Sequence, residues 1–190
     1  MSFIKLLLVL AMLHPLSAKA EILTHLGFNY EEEKVDQGSV GEVQQTRQTL
    51  NLGIGYLFDF GLFLGLKYYQ KNVINDLTVT VASTTVTTST KDLTSGSGMT
   101  LGYYVDFGLV LQYSYLFQDP KRESADVTYS GGTASVIDLA YVYWIGNFAF
   151  GPQLTQTTFT YEEQEDAGVV TEIDITHTHL MPMIALWFKF

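Results

Sequence analysis

The chain has 190 residues, no cysteine and a formal charge of −10. That acidity leaves no basic footprint for nucleic acid, and the missing cysteine excludes disulfides, thiolate metal sites and a lipid-bearing cysteine at a processed start. Hydrophobic residues make up 47% of the chain, yet beyond residue 20 no apolar run is long enough for a membrane helix, so any crossing of a bilayer must be made by strands.

The first twenty residues have the layout of a secretory signal peptide. Lys5 gives a positive start, Leu6 to Leu13 a brief apolar core, and Ala18-Lys-Ala20 small residues at the −3 and −1 positions. Cleavage after Ala20 is expected, leaving one unit over 21–190. Losing Lys5 and Lys19 deepens the acidity, since the segment carries no acid.

A turn unit then recurs. Gly55-Tyr-Leu-Phe-Asp-Phe-Gly-Leu-Phe-Leu64 returns as Gly102-Tyr-Tyr-Val-Asp-Phe-Gly-Leu-Val-Leu111, and more loosely over Ala140 to Phe150 with Gly146-Asn147 at its centre. Turn residues between apolar alternating runs predict strand, tight turn, strand. Three such hairpins and one strand at each end predict eight strands, near 22–32, 45–58, 61–69, 96–105, 109–117, 136–143, 148–157 and 179–190.

Each predicted strand has one wide apolar face, because successive side chains point to opposite sides. Leu50, Leu52, Ile54, Tyr56 and Phe58 oppose Arg47, Thr49, Asn51, Gly53 and Gly55; Leu62, Leu64, Leu66 and Tyr68 oppose Phe63, Gly65, Lys67 and Tyr69. The second face reads as small and polar, which suits a narrow interior and not a greasy pocket. Tyr30, Tyr68, Tyr113, Tyr115, Phe58, Phe148 and Phe188 fall near strand ends, where interfacial girdles belong.

The remaining connections, near 33–44, 72–92, 119–132 and 162–171, are predicted to be long loops on the side opposite the tight turns. The first and fourth are acidic. The second, Leu77 to Thr90, is rich in Thr and Val and nearly uncharged. Its strand propensity predicts a protruding hairpin, carried by Val79, Val81, Thr85 and Val86.

Two constellations stand out. Lys67 and Asp138 share the inward parity at mid-depth on well-separated strands, so an ion pair between them is expected, with Arg47 or Lys189 as alternative partners. It would be a structural plug or a gate. His177 and His179 lie on one face of the last strand, roughly 7 Å apart, a spacing from which two imidazoles can hold one metal. Glu31 is the candidate third ligand, a weak signature, and no cofactor is expected.

The final strand sets Leu180, Pro182, Ile184, Leu186, Phe188 and Phe190 on one apolar face. With the eight-strand dyad pattern and the repeated turns, it resembles the last strand of Gram-negative outer-membrane β-barrels of the OmpA/OmpX class. The resemblance implies an all-β, up-and-down transmembrane β-barrel with short periplasmic turns and longer outer loops. It further implies residence in the bacterial outer membrane among lipid and lipopolysaccharide. Phe190, Phe188 and Leu186 would then be the signal read by the barrel-insertion machinery. Its members include adhesion-like proteins with exposed sheet edges, which suggests a surface-interaction role with an external protein partner. Channels or carriers for small or apolar solutes, as in OmpW-like barrels, are the alternative. Lipid-modifying enzymes of this size are a distant third: their Ser/His clusters find no match beside His177 and His179, so an enzyme is not expected.

Overall fold

The computed structural model describes residues 20–36, 41–81, 84–125 and 127–190. Nearly all of the expected signal peptide, and residues 37–40 of the first outer connection, lie outside these, as does the side chain of Val81.

Ten strands are formed: β1 (Ala20–Asp36), β2 (Glu42–Phe58), β3 (Leu62–Val81), β4 (Thr84–Tyr104), β5 (Leu109–Ser124), β6 (Val127–Ser130), β7 (Thr133–Tyr141), β8 (Tyr143–Ile145), β9 (Phe148–Asp166) and β10 (Val169–Lys189). Strands β6, β7 and β8 succeed one another along β9, so together they act as one interrupted strand between β5 and β9. Every neighbour pair is antiparallel, and β10 pairs with both β9 and β1, which closes a ring of eight strands. Closure gives the long strands neighbours on both sides along the turn-side half, while β8 pairs with β9 alone among the described residues. Beyond the last strand, Phe190 and Ile22 exchange main-chain hydrogen bonds.

The period-2 reading of the faces holds. Outward positions carry exposed Ile22, Phe28, Leu52, Ile54, Leu64, Leu66, Met99, Leu111, Leu139, Phe150, Leu154 and Ile184, forming an apolar belt around the ring. Inward positions carry the buried residues, from Leu23 and His25 on β1 to Ala185 and Trp187 on β10. At Gly98 the backbone of β5 comes so near that a Cβ would lie 1.9 Å from the Tyr115 carbonyl oxygen. Only glycine permits that approach.

Two expectations need correction. Connections 33–44, 119–132 and 162–171 are not long loops, because the ladders run on past the belt. Strand β1 pairs with β2 up to Asp36↔Glu42, β5 with β6 up to Ser124↔Val127, and β9 with β10 up to Asp166↔Val169. The turn between β9 and β10 is reduced to Ala167 and Gly168, both at positive φ, the geometry that matches strand twist in a two-residue hairpin. Backbone pairing is indifferent to whether the side chains it carries are apolar or acidic, so the end of the apolar alternation does not end the strand. The hairpin predicted within 72–92 is formed: Val79 pairs with Val86, Thr80 with Thr85 and Val81 with Thr84. It outreaches both neighbours, since β2 covers β3 only to Thr78 and β5 covers β4 only to Asp92.

The interior is also not small and polar throughout. A lower apolar layer at the tight-turn end contains Leu23, Phe63, Tyr104, Val110 and Trp187, and an upper one Tyr69, Leu116, Phe159, Tyr161, Met181 and Met183. A buried polar layer around Lys67 and Asp138 lies between them. Large inward groups on some strands fill the space that inward glycines leave on others, as a narrow ring requires.

Candidate functional site

The polar layer is built around Lys67 and Asp138. Lys67 Nζ lies 2.5 Å from Asp138 Oδ2 and 3.4 Å from Gln112 Oε1, both ends of the pair being almost fully buried. Asp138 Oδ1 accepts from Asn51 Nδ2 at 3.0 Å, Gln153 Nε2 at 2.8 Å and Thr155 Oγ1 at 2.7 Å. Gln153 Oε1 can only accept, so the 2.8 Å contact with His25 Nε2 makes that nitrogen the donor. The His25 ring stacks on Trp187 at 4.9 Å, and Trp187 Nε1 donates to the Tyr104 hydroxyl at 3.0 Å. The expected pair is thus formed between two apolar layers; the Asp138 carboxylate is fully engaged, while His25 Nδ1 and Asn51 Oδ1 in the same layer are buried without a hydrogen-bond partner among the described residues.

Arg47 takes no part in it. On β2 directly opposite Glu31 of β1, Arg47 binds Glu31 at 3.2 Å and Glu33 at 3.4 Å, and it also contacts Gln45. Nor does Lys189, which binds Glu21 at 3.5 Å and sits over the Trp144 ring at 4.2 Å.

The proposed metal ligands are not brought together. His177 and His179 do stack, with ring centroids 6.5 Å apart, but Glu31 is held by Arg47, and pairing between β1 and β10 has ended below it at Phe28↔Ile184. Among the described residues no group of three His, Cys, Asp or Glu could hold a metal ion. The groups around the histidines are cations, which would repel one.

What His177 and His179 do line is an outer vestibule of about 290 Å³, floored by Tyr69 and Phe159 of the upper apolar layer. Arg47, Lys71 and Arg122 enter it from β2, β3 and β5, against a single lining carboxylate, Asp92. Arg122 binds Asp92 at 2.8 Å, donates toward His177 Nε2 at 3.5 Å and lies over the Tyr129 ring at 5.6 Å. Lys71 makes no side-chain ion pair or hydrogen bond among the described residues. Burial first, then the nearby Arg47 and Arg122, push its ammonium below the usual lysine range. Burial first, then Arg122 and Lys71, likewise hold the His177 imidazole below its usual range. A second cavity, lined by Glu21, Asp59, Trp144 and Lys189, lies at the tight-turn end and shares no lining residue with the vestibule.

No family model and no curated protein matches the chain. The arrangement of its own side chains therefore carries the functional argument.

Sequence reasoning missed Lys71 and Arg122. Lys71 continues the inward parity of Lys67 and Tyr69, so it was readable. Arg122 likewise continues the inward parity of Ser114 and Leu116, but the β4–β5 register shifts near Ser95, Ser97 and Gly98 hide which residues share its level.

Proposed function

We propose that this chain is an eight-stranded transmembrane β-barrel of the bacterial outer membrane. Its role would be structural or surface-interacting, exercised through the strands that extend beyond the bilayer. One observation carries this reading: the polarity of the ring is inside-out, with apolar side chains exposed around its outside and a charge pair buried within. Water would penalise such an outer face, whereas hydrocarbon requires it. Phe190, Phe188 and Leu186 fit a segment recognised by the insertion machinery. Lipid and lipopolysaccharide would be its immediate neighbours.

Two features support interaction over conduction. The interior is filled by two apolar layers and a buried ion pair, an arrangement that opposes ion passage. Outside, residues 86–91 of β4 are exposed and lie beyond Asp92↔Ser124, where the pairing with β5 ends among the described residues. Such an edge, rich in Thr, suits addition of a strand from an external protein. A carrier for small amphiphiles is a second reading, favoured by the parting of β1 from β10 above Phe28↔Ile184.

The test is fractionation of the expressing cell, followed by planar-bilayer recording with the purified protein. Outer-membrane residence, a heat-modifiable gel mobility and electrical silence are expected. A detergent-free soluble monomer would refute the membrane reading, and discrete conductance steps would refute the blocked interior. Deleting 75–90 is expected to abolish surface binding while leaving the gel shift intact.

A further inference from the structure

Above Phe28↔Ile184, β1 continues to Asp36 and β10 begins as far out as Val169, yet the two no longer pair. Among the described residues the hydrogen bond across that seam is from Asn29 Nδ2 to the Pro182 carbonyl, 2.8 Å. The ring is therefore split along one wall in its outer half. The split begins within the apolar belt, with exposed Tyr30 and Leu180 on its outer flanks. His179 has inward parity but is exposed, because the wall beside it is open. Behind it lies the vestibule with its three fixed cations and one carboxylate.

Arg47 and Arg122 are already engaged by carboxylates, while Lys71 is left half-buried with no such partner. Half-burying an ammonium beside two guanidinium groups is unfavourable, and the nearby Glu31 and Asp92 carboxylates offset this only in part. Arg47 is offset by Glu31 and Glu33 and Arg122 by Asp92, so Lys71 carries the charge that a phosphate monoester would meet in the vestibule. Arg122 and Lys71 would supply a planar fork and a point charge, the usual donors to phosphate oxygens. His177 and His179 stand on the opposite wall as further hydrogen-bonding groups.

We propose that the outer vestibule is a phosphate-binding site centred on Lys71 and Arg122, and that the β1–β10 split lets the phosphate of an amphiphile reach it from the bilayer. The phosphate site rests on the ring alone; the route from the bilayer rests also on the membrane reading.

The test is a calorimetric titration of the purified protein in zwitterionic detergent with two probes, inorganic phosphate and dodecyl phosphate. The variants are Lys71→Gln, Arg122→Gln and, as a control at the opposite end, Lys189→Gln. Saturable binding is expected, weakened about tenfold or more by Lys71→Gln or Arg122→Gln and unchanged by Lys189→Gln. An unchanged strand spectrum and gel mobility exclude misfolding. Dodecyl phosphate binding at least tenfold more tightly than inorganic phosphate identifies a lipid source. Equal affinities identify a free phosphate ester and overturn the amphiphile route. No saturable binding of either probe, or binding equal in wild type and Lys71→Gln, overturns the site. Because both titrations are run in detergent, these outcomes are independent of where the protein resides in the cell.

Discussion

The Lys67–Asp138 pair lends itself to a double-mutant cycle. Lys67→Met removes the ammonium and leaves Asp138 a buried carboxylate with three neutral donors, Asn51, Gln153 and Thr155. Asp138→Asn leaves a buried ammonium facing an amide and the more distant Gln112 oxygen. Breaking a buried pair from either side costs about 3–5 kcal/mol, because one charge stays behind without its counterion. The double variant Lys67→Met/Asp138→Asn removes both charges, while the new amide oxygen still accepts from Asn51 and Thr155. Its cost is then that of imperfect hydrogen bonding, about 1–3 kcal/mol. The double variant is expected to be more stable than either single one, with a coupling of several kcal/mol. Urea unfolding in detergent micelles, followed by the fluorescence of the two tryptophans, measures this directly; Trp187 is buried just below the pair and Trp144 is half-buried at the turn end. Single costs below about 1 kcal/mol, or costs that add to that of the double, would refute the sealed-network argument.

Three further expectations follow from local geometry. Gly98→Ala forces a Cβ against the Tyr115 carbonyl and should cost about 1–3 kcal/mol, whereas Gly146→Ala, with open space around it and only a positive φ to maintain, should cost about 1 kcal/mol; the same urea titration ranks them. Trp187→Phe keeps most of the buried ring but loses the donor to Tyr104, and should cost less than Trp187→Ala, for which about 3–5 kcal/mol is expected. His177 refuses protons in the folded state that an unfolded histidine accepts near pH 6.5. Its contribution to stability is therefore present above that pH and lost as the pH falls below it. Between pH 7.5 and 5.5, His177→Gln should lose less of its urea midpoint than wild type does, and equal losses would refute the assignment.

The strands and their faces were legible in the sequence because strand periodicity is strictly two, and the repeated Asp-Phe-Gly turns fixed where the count restarts. The ion pair was legible for the same reason: Lys67 and Asp138 interrupt otherwise uncharged inward faces at matching depth. Three things were not legible. The aromatic filling by Trp187, Phe159 and Tyr161 depends on partners from other strands, His25 and Tyr104 for the first and Tyr69 and Tyr129 for the others, which no single strand reveals. The full lengths of the strands were not legible because backbone pairing continues where the apolar alternation ends. The metal reading assumed that β1 and β10 remain side by side at the height of His177. They part lower down, and Glu31 meets Arg47 instead, so adjacency in a ring is a property of each level and not of a strand pair.

The parting of β1 and β10 also bears on how the chain folds. Each of the other junctions joins neighbours along the chain, whereas this one must bring together its two ends, with six residue pairs to hold them. It carries the largest loop-closure entropy and the fewest backbone bonds to offset it. Assembly should therefore proceed hairpin by hairpin to an open, curled sheet, and the union of Ile22 with Phe190 should be its last act.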